Sequence, residues 1–435
     1  MKLDLDRLAN RLEAELGRAA VSRHPELLAA RVVDGVYPCL ICSPANAGEV
    51  SAALRVCSET NAAVTPWGGG TAVQIGNLPE RVQVTIDVAK LNHVVDHDDA
   101  NLTATVQSGI TLAATQEIIA GARQFVPFDV PSPQRSTIGG IVAANLNGPR
   151  RVCYGSVRDL VIGMKVAQPT GEYIKAGGKV VKNVAGYDMC KLFVGSLGTL
   201  GIITELTLRL TPLPEAEATL ASSGSLLQLS EFAGEILDSV LLPSAIVLWT
   251  TETSSSSEAP HSGWQMAVRA EGFAEHVDRH LRDLKLLAER LGLATVTYTN
   301  AAHEKLWAGI CDFPLLGHEL VFRAMVPRSA IADLLNGVQE WGSADSSPAI
   351  VADVAAGAIW IGSNETHSGA ARFTQLQSKA AKHQGHVTLI EAPAELKRGL
   401  DIWGPTPASF FLMHRIKQQF DPQRLMNPGR FVGRL

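Results

Sequence analysis

Leu5, Leu8, Leu12 and Leu16 recur at helical spacing through a charged background, so the chain opens on an amphipathic helix. A second helical pattern, Val50, Leu54 and Cys57, follows Asn46 and Glu49, whose spacing is that of a capped helix start. Around these helices the period drops to two. A strand leads from Asp34 to Ser43, a short one covers Ala63 to Thr65, and Val82 to Val88 and Thr103 to Ser108 alternate as half-buried strands do. Thr111 to Gly121 returns to helical spacing, with Ile118 and Ile119 predicted inward and Gly121 closing the helix. Val161 to Ala167 predicts a strand, turned by Pro169-Thr170-Gly171-Glu172, and Leu206, Leu208 and Leu210 alternate with Thr207 and Arg209 in another. Helices interleaved with strands describe α/β structure as far as Pro214.

Beyond Pro214 the texture changes. Strands are predicted near 244–250 and 264–271, then a long helix from Phe273 with Val277, Leu281, Leu284, Leu287 and Leu291 on one face. A strand at 319–327, a helix from Ser329, two strands across 349–362, a helix over 368–383 and a strand at 386–391 complete the region. This order suggests an antiparallel sheet carrying helices on one face. The Ser-rich Thr250 to Gly263 reads as an exposed loop, too short for a domain linker. The expected division is a helical segment over 1–33, a domain over 34–214, a cap over 215–400, and a tail over 401–435 that returns to the first domain.

Composition narrows the class. A chain of 435 residues is long enough for two or three domains. Hydrophobic residues make up 46 %, yet no run reaches the ~18 apolar residues of a spanning helix. A net charge of -5, with Lys and Arg scattered, argues against nucleic acid as a partner. The start MKLDLDRLANRLEAELG lacks the features of a secretory signal, so the protein is expected in the cytoplasm with its six cysteines reduced. Cys39 and Cys42 lie in a strand, where residues three apart face opposite ways, so neither a disulfide nor a metal site is expected.

Candidate chemistry begins with glycine. Clusters fall at Pro66-Trp67-Gly68-Gly69-Gly70-Thr71, at Ser136-Thr137-Ile138-Gly139-Gly140, and through Gly177 to Pro214 with Gly195, Gly198 and Gly201. Consecutive glycines remove every Cβ, so successive N–H groups can converge on a pyrophosphate. Ser136-Thr137, after a proline-rich approach that includes Pro131, stands where a helix begins, which is a ready anion site. Three such backbone nests suggest a large, phosphate-bearing cofactor.

Taken in order, GGGT, STIGGIVAANLNGPRR with YGSVRDLVIG, VKNVAGYDMCKLFVGSLGTLG and the closing HRIKQQFDPQRLMNPGRFVG resemble the vanillyl-alcohol oxidase and p-cresol methylhydroxylase family. Within it they are most similar to the FAD-binding subunits of bacterial glycolate oxidase. Leu197 fits that narrower group, since lactate-dehydrogenase-like members carry an acidic residue there. The resemblance implies an α+β fold: a two-subdomain FAD-binding domain of the p-cresol-methylhydroxylase type plus an α/β cap with an antiparallel sheet. It implies FAD held by Trp67, Gly68, Gly69, Gly70, Thr71, Pro131, Ser136, Thr137, Gly139, Gly140, Gly198, Gly201 and Ile203. Family members that bind FAD covalently generally use a histidine near these motifs; none occurs between His97 and His261, so noncovalent binding is expected.

A flavin takes the hydride, and the protein must then hold a 2-hydroxy acid by its carboxylate and remove its hydroxyl proton. Arg269 and Arg323, each on an expected cap strand, are the candidate clamps, and the bland reading of each is a structural ion pair. His386 is the candidate base. The HGDGNxH-type metal motif of catalytic relatives is missing, and no metal site is expected. With that motif missing, the resemblance implies an FAD-binding electron-transfer subunit of a multisubunit glycolate oxidase, which takes part in oxidising glycolate to glyoxylate without having to be the subunit that oxidises substrate, with a second FAD-containing subunit and an iron–sulfur subunit as partners. Through these it would be peripheral at the inner face of the cell membrane. A self-sufficient dehydrogenase of a 2-hydroxy acid such as D-lactate, and a non-redox scaffold with a vestigial flavin, stay open as alternatives.

Overall fold

The structure is a computed structural model that describes residues 3–179, 187–250, 263–342 and 347–435. The VKNVAG part of the third motif and most of the Ser-rich loop lie outside the described residues. The chain forms three main sheets.

The first sheet has four strands, in the order Val21–Ser22, Leu40–Cys42, Val84–Asp87, Val64–Trp67. The last three are parallel, with the helix Ala47–Thr60 as the crossover. That helix starts as the sequence predicts: Asn46 accepts from the Glu49 amide at 3.0 Å, and the Glu49 carboxylate accepts from the Ala45 amide at 2.7 Å. The opening helix Leu5–Leu16 packs Leu8 and Leu12 against Val50, Leu54 and Cys57. The N-terminal segment is thus built into this layer rather than standing apart. The tail also joins it: the Val64 amide donates to Leu425 and the Asn427 amide donates to Val64, both at 2.8 Å.

The second sheet has five antiparallel strands, in the order Val94–Asp98, Thr103–Gln107, Ile202–Arg209, Val161–Ala167, Tyr173–Gly177. Its central strand pairs Leu206 with Val106 and Met164. The helix Leu112–Ile119 buries Leu112, Thr115 and Ile119. Ile118 points outward, contrary to expectation, because it lies about 100° round the helix from Ile119, outside the narrow stripe of Leu112, Thr115 and Ile119.

The cap is one eight-stranded antiparallel sheet, running Ala294–Tyr298, Ala216–Gly224, Trp264–Gly272, Ala245–Thr250, Ala349–Asp353, Ala358–Ser363, Leu320–Met325, His386–Glu391. Helices Leu226–Asp238, Ala274–Arg290, Ile331–Gln339 and Gly369–Lys382 cover one face through a core that includes Phe232, Leu284, Leu335 and Phe373. The expectation of helices on one face alone does not hold. Asn300–Asp312 lies on the other side, where Trp307 and Ile310 meet Val247, Trp249 and Val351. That second face also looks onto the N-terminal half, since Val321 and Ile390 join its core.

Candidate active site

A cleft opens where the two smaller sheets meet. The strand Val64–Trp67 ends in Gly68 to Thr71, and the amides of these four residues meet no acceptor among the described residues. Gly70 has φ of +72°, a left-handed conformation that glycine adopts without strain, and a Cβ on Gly69 would overlap the Arg135 carbonyl. Facing this turn, Thr137 caps the helix Ile138–Ala144 by accepting from the Gly140 amide at 3.2 Å. Ser196 to Gly198 and Gly201 to Ile203 close the other side. Of the expected cofactor residues, Trp67, Gly68, Gly69, Gly70, Thr71, Thr137, Gly139, Gly140, Gly198, Gly201 and Ile203 line this cradle together.

Two do not. Ser136 is buried behind it, where its hydroxyl meets Thr71 Oγ1 at 2.9 Å and donates to the Pro131 carbonyl at 2.7 Å. Pro131 itself lines the adjoining cavity. Ser136 and Pro131 thus brace the nest rather than form it.

That adjoining cavity, of about 290 Å³, lies between the cradle and the cap and shares Thr71, Ala72 and Ile75 with the cradle. Arg323, Met325, Asp353, Trp360 and His386 line its cap wall. The sheet register places them there. Arg323 pairs with Trp360 on one side and Thr388 on the other, while Met325 pairs with Ala358 and His386, and paired residues share a face. The Arg323 guanidinium lies over Trp360, 5.6 Å from the ring centroid, and its Nε has no hydrogen-bond partner among the described residues. Burial, and then Arg151, lower its pKa to about 10. Burial, and then Arg323, also hold His386 below the ordinary imidazole value, which favours its neutral, proton-accepting form. Asp353 is buried, accepts from the Ala356 amide at 3.1 Å, and is pushed up to about 7 by desolvation.

Arg269 is placed elsewhere. Three strands separate its strand from that of Arg323, and its guanidinium is committed to Glu217 at 2.5 Å and Glu271 at 3.2 Å. It does not line the cavity, and the ion-pair reading describes it.

Residues 38–177 match an FAD binding domain, and 405–431 match the C-terminal domain of FAD linked oxidases. Glycolate oxidase subunit GlcE of Escherichia coli is 30 % identical over 358 residues, covering 81 % of this chain and 88 % of that protein. The chain belongs to the FAD-linked oxidase family, in the branch that holds the bacterial glycolate oxidase subunits. Glycolate oxidase subunit GlcD of Bacillus subtilis is 27 % identical over 427 residues, covering 91 % of this chain and 89 % of that protein. In fold, p-cresol methylhydroxylase superposes with a TM-score of 0.74 at 16 % identity, covering 98 % of this chain and 96 % of that one. This FAD-linked chain is an oxidoreductase.

The cradle fits FAD on its own chemistry. A diphosphate has only acceptor oxygens, and the turn offers four unspent amides. The hydroxyls of Thr65 and Ser108, which also line the cradle, are buried without a partner among the described residues. These two were missed from sequence because a strand Thr or Ser looks the same whether or not it faces a ligand. Arg430, in the NPGR run, was passed over too. It donates to the carbonyls of Val73, Ile75 and Asn77 and to Asp34, fixing the segment that divides cradle from cavity.

Proposed function

We propose that the chain oxidises a small 2-hydroxy acid, glycolate to glyoxylate, at its own flavin, as the FAD-binding subunit of a multisubunit glycolate oxidase. One observation carries this reading: a half-buried arginine, whose buried Nε has no partner among the described residues, faces a cavity that opens directly onto the flavin cradle. A partly desolvated cation without a counter-ion is costly, and a substrate carboxylate would supply the missing anion.

Gly68, Gly69, Gly70 and Thr71 would hold the FAD diphosphate with Thr137, Gly139 and Gly140, while Gly198, Gly201 and Ile203 flank it. Binding is noncovalent, in keeping with a cradle lined by no His, Cys or Tyr among the described residues. FAD, when bound, supplies the hydride acceptor. Arg323 holds the carboxylate as a two-pronged donor. His386, on the adjoining strand and diagonal to Arg323, takes the hydroxyl proton in its neutral form. Trp360 walls the cavity and excludes water beside the guanidinium.

Electrons then pass to partners, a second FAD-containing subunit and an iron–sulfur subunit. This reading is supported by six free cysteines that form no group of three potential metal ligands among the described residues. No helix among the described residues is long and apolar enough to cross a membrane. The test is dye reduction by the purified chain on adding glycolate. Reduction that Arg323→Met abolishes with FAD retained supports the reading, and a flavin that glycolate never reduces removes it.

A further inference from the structure

Arg151 opens the short helix Arg151–Tyr154 and reaches the cavity from the wall of the FAD-binding half, while Arg323 reaches it from the cap sheet. Among the described residues neither guanidinium has an ion-pair partner. The neighbouring Arg150 behaves differently: it is committed to Asp129 at 2.7 Å and to Glu271 at 3.4 Å. Chain neighbours of the same type have thus been divided between a structural ion pair and an open cavity. Two unpaired guanidinia beside one cavity repel each other, and Arg151 is close enough to lower the pKa of Arg323. Folding tolerates such an arrangement poorly unless an anion completes it. The carboxyl of Asp353, which feels Arg151, does not complete it. It is engaged by the Ala356 amide, and its burial favours the uncharged form.

We propose that Arg151 and Arg323 form a single clamp on the substrate carboxylate with one arm on each domain, so that the bound acid bridges the FAD-binding half and the cap. The assignment extends the 2-hydroxy-acid reading of this cavity and rests on it. It makes Arg151 a specificity-determining residue: two converging guanidinia favour an acid over the corresponding neutral alcohol or amide. A bridging carboxylate also accounts for why the arms belong to different domains, since binding then stabilises the closed arrangement of the two.

The experiment uses the FAD-loaded protein with oxalate as an unreactive acid, glycolate as substrate and glycolamide as the neutral analogue. Melting temperature and the flavin spectrum are followed in wild type, Arg151→Met and Arg323→Met. Oxalate should raise the melting temperature of wild type and perturb its flavin spectrum, and each variant should lose most of both effects. KM for glycolate should rise about tenfold or more in Arg151→Met, with glycolamide binding unchanged. Without ligand, Arg151→Met should melt no lower than wild type, because a repulsion has been removed; a merely structural arginine would give the opposite result. Should Arg151→Met not fold, Arg151→Lys keeps the charge without the fork and should show intermediate oxalate binding. Oxalate binding by the Arg151 variants equal to that of wild type overturns the clamp. If only Arg323→Met loses oxalate, the 2-hydroxy-acid reading stands and the bridging arm falls. If wild type itself ignores oxalate and glycolate, both fall.

Discussion

The ammonium of Lys397, in the cap, lies 2.7 Å from the carboxylate of Asp34, near the other end of the chain. Lys397 is fully buried and also donates to the Gln74 carbonyl at 2.8 Å, while Asp34 pairs in addition with Arg430. The cap, the N-terminal segment and the tail are thereby tied behind the loop that separates cradle from cavity. Truncating one member of a buried charge pair strands the other. Lys397→Met should therefore cost on the order of 3 kcal/mol in urea unfolding and weaken FAD retention. An unchanged unfolding midpoint would show that the contact holds nothing.

Arg323→Met removes the proposed carboxylate anchor without touching the cradle. The flavin spectrum should be retained while kcat/KM for glycolate falls by about 10²–10³, the scale expected for losing one partner of a buried charge-assisted contact. Arg269→Met should leave KM near the wild-type value and lower stability instead, because its partners are Glu217 and Glu271 rather than substrate. Steady-state kinetics of the two variants side by side separate these roles.

The proposed base His386 would act in its neutral form, and its pKa lies below the ordinary value because burial, and then Arg323, disfavour the charged ring. Activity should therefore fall on the acid side, with the limb centred below about 6.5, and be flat through neutral pH. His386→Gln should remove that limb and lower kcat by about 10²–10⁴. A pH–rate profile with the limb unmoved in the variant would take His386 out of the mechanism.

Asp353 carries the opposite shift, from the ordinary carboxyl range up to about 7. An acid whose folded pKa is raised is held most favourably when protonated. Its folding cost therefore appears as pH rises from about 4 toward 7 and is complete above that. Asp353→Asn should stabilise the protein by about 2–4 kcal/mol at pH 8 and have little effect at pH 4, as urea unfolding at the two pH values will show.

Gly69 has no room for a side chain beside the Arg135 carbonyl. Gly69→Ala should push the turn away from the Ser132–Thr137 loop and yield a folded protein with little or no flavin absorbance. Retention of a full complement of FAD in this variant would mean that the turn is not the diphosphate nest.

The glycine motifs were legible because they answer to backbone geometry, which few other residues satisfy. Gly68 to Thr71, Thr137 and Gly198 to Ile203 come together much as their residue types require. The periodic strands were legible for the same local reason. The strand Ala216–Gly224, reading AEATLASSG, was not: its small and polar residues carry little strand signal, and burial between neighbouring strands decides its state. The helix Asn300–Asp312 was hidden because it buries only His303, Trp307 and Ile310. Arg269 and Arg323 looked alike in sequence, each a lone arginine on an apolar strand. What separates them is Glu271, two residues along the same strand, together with Glu217, which only the sheet register brings beside Arg269. Arg151 and Asp353 acquire their setting only when the cap meets the FAD-binding half, which no sequence window contains.

The most direct test is the visible spectrum of the chain purified alone with FAD, recorded anaerobically before and after glycolate. The account predicts an oxidised-flavin spectrum that bleaches on addition of glycolate and does not bleach in Arg323→Met. A flavin that stays oxidised in the wild-type chain would contradict a working site under this cap.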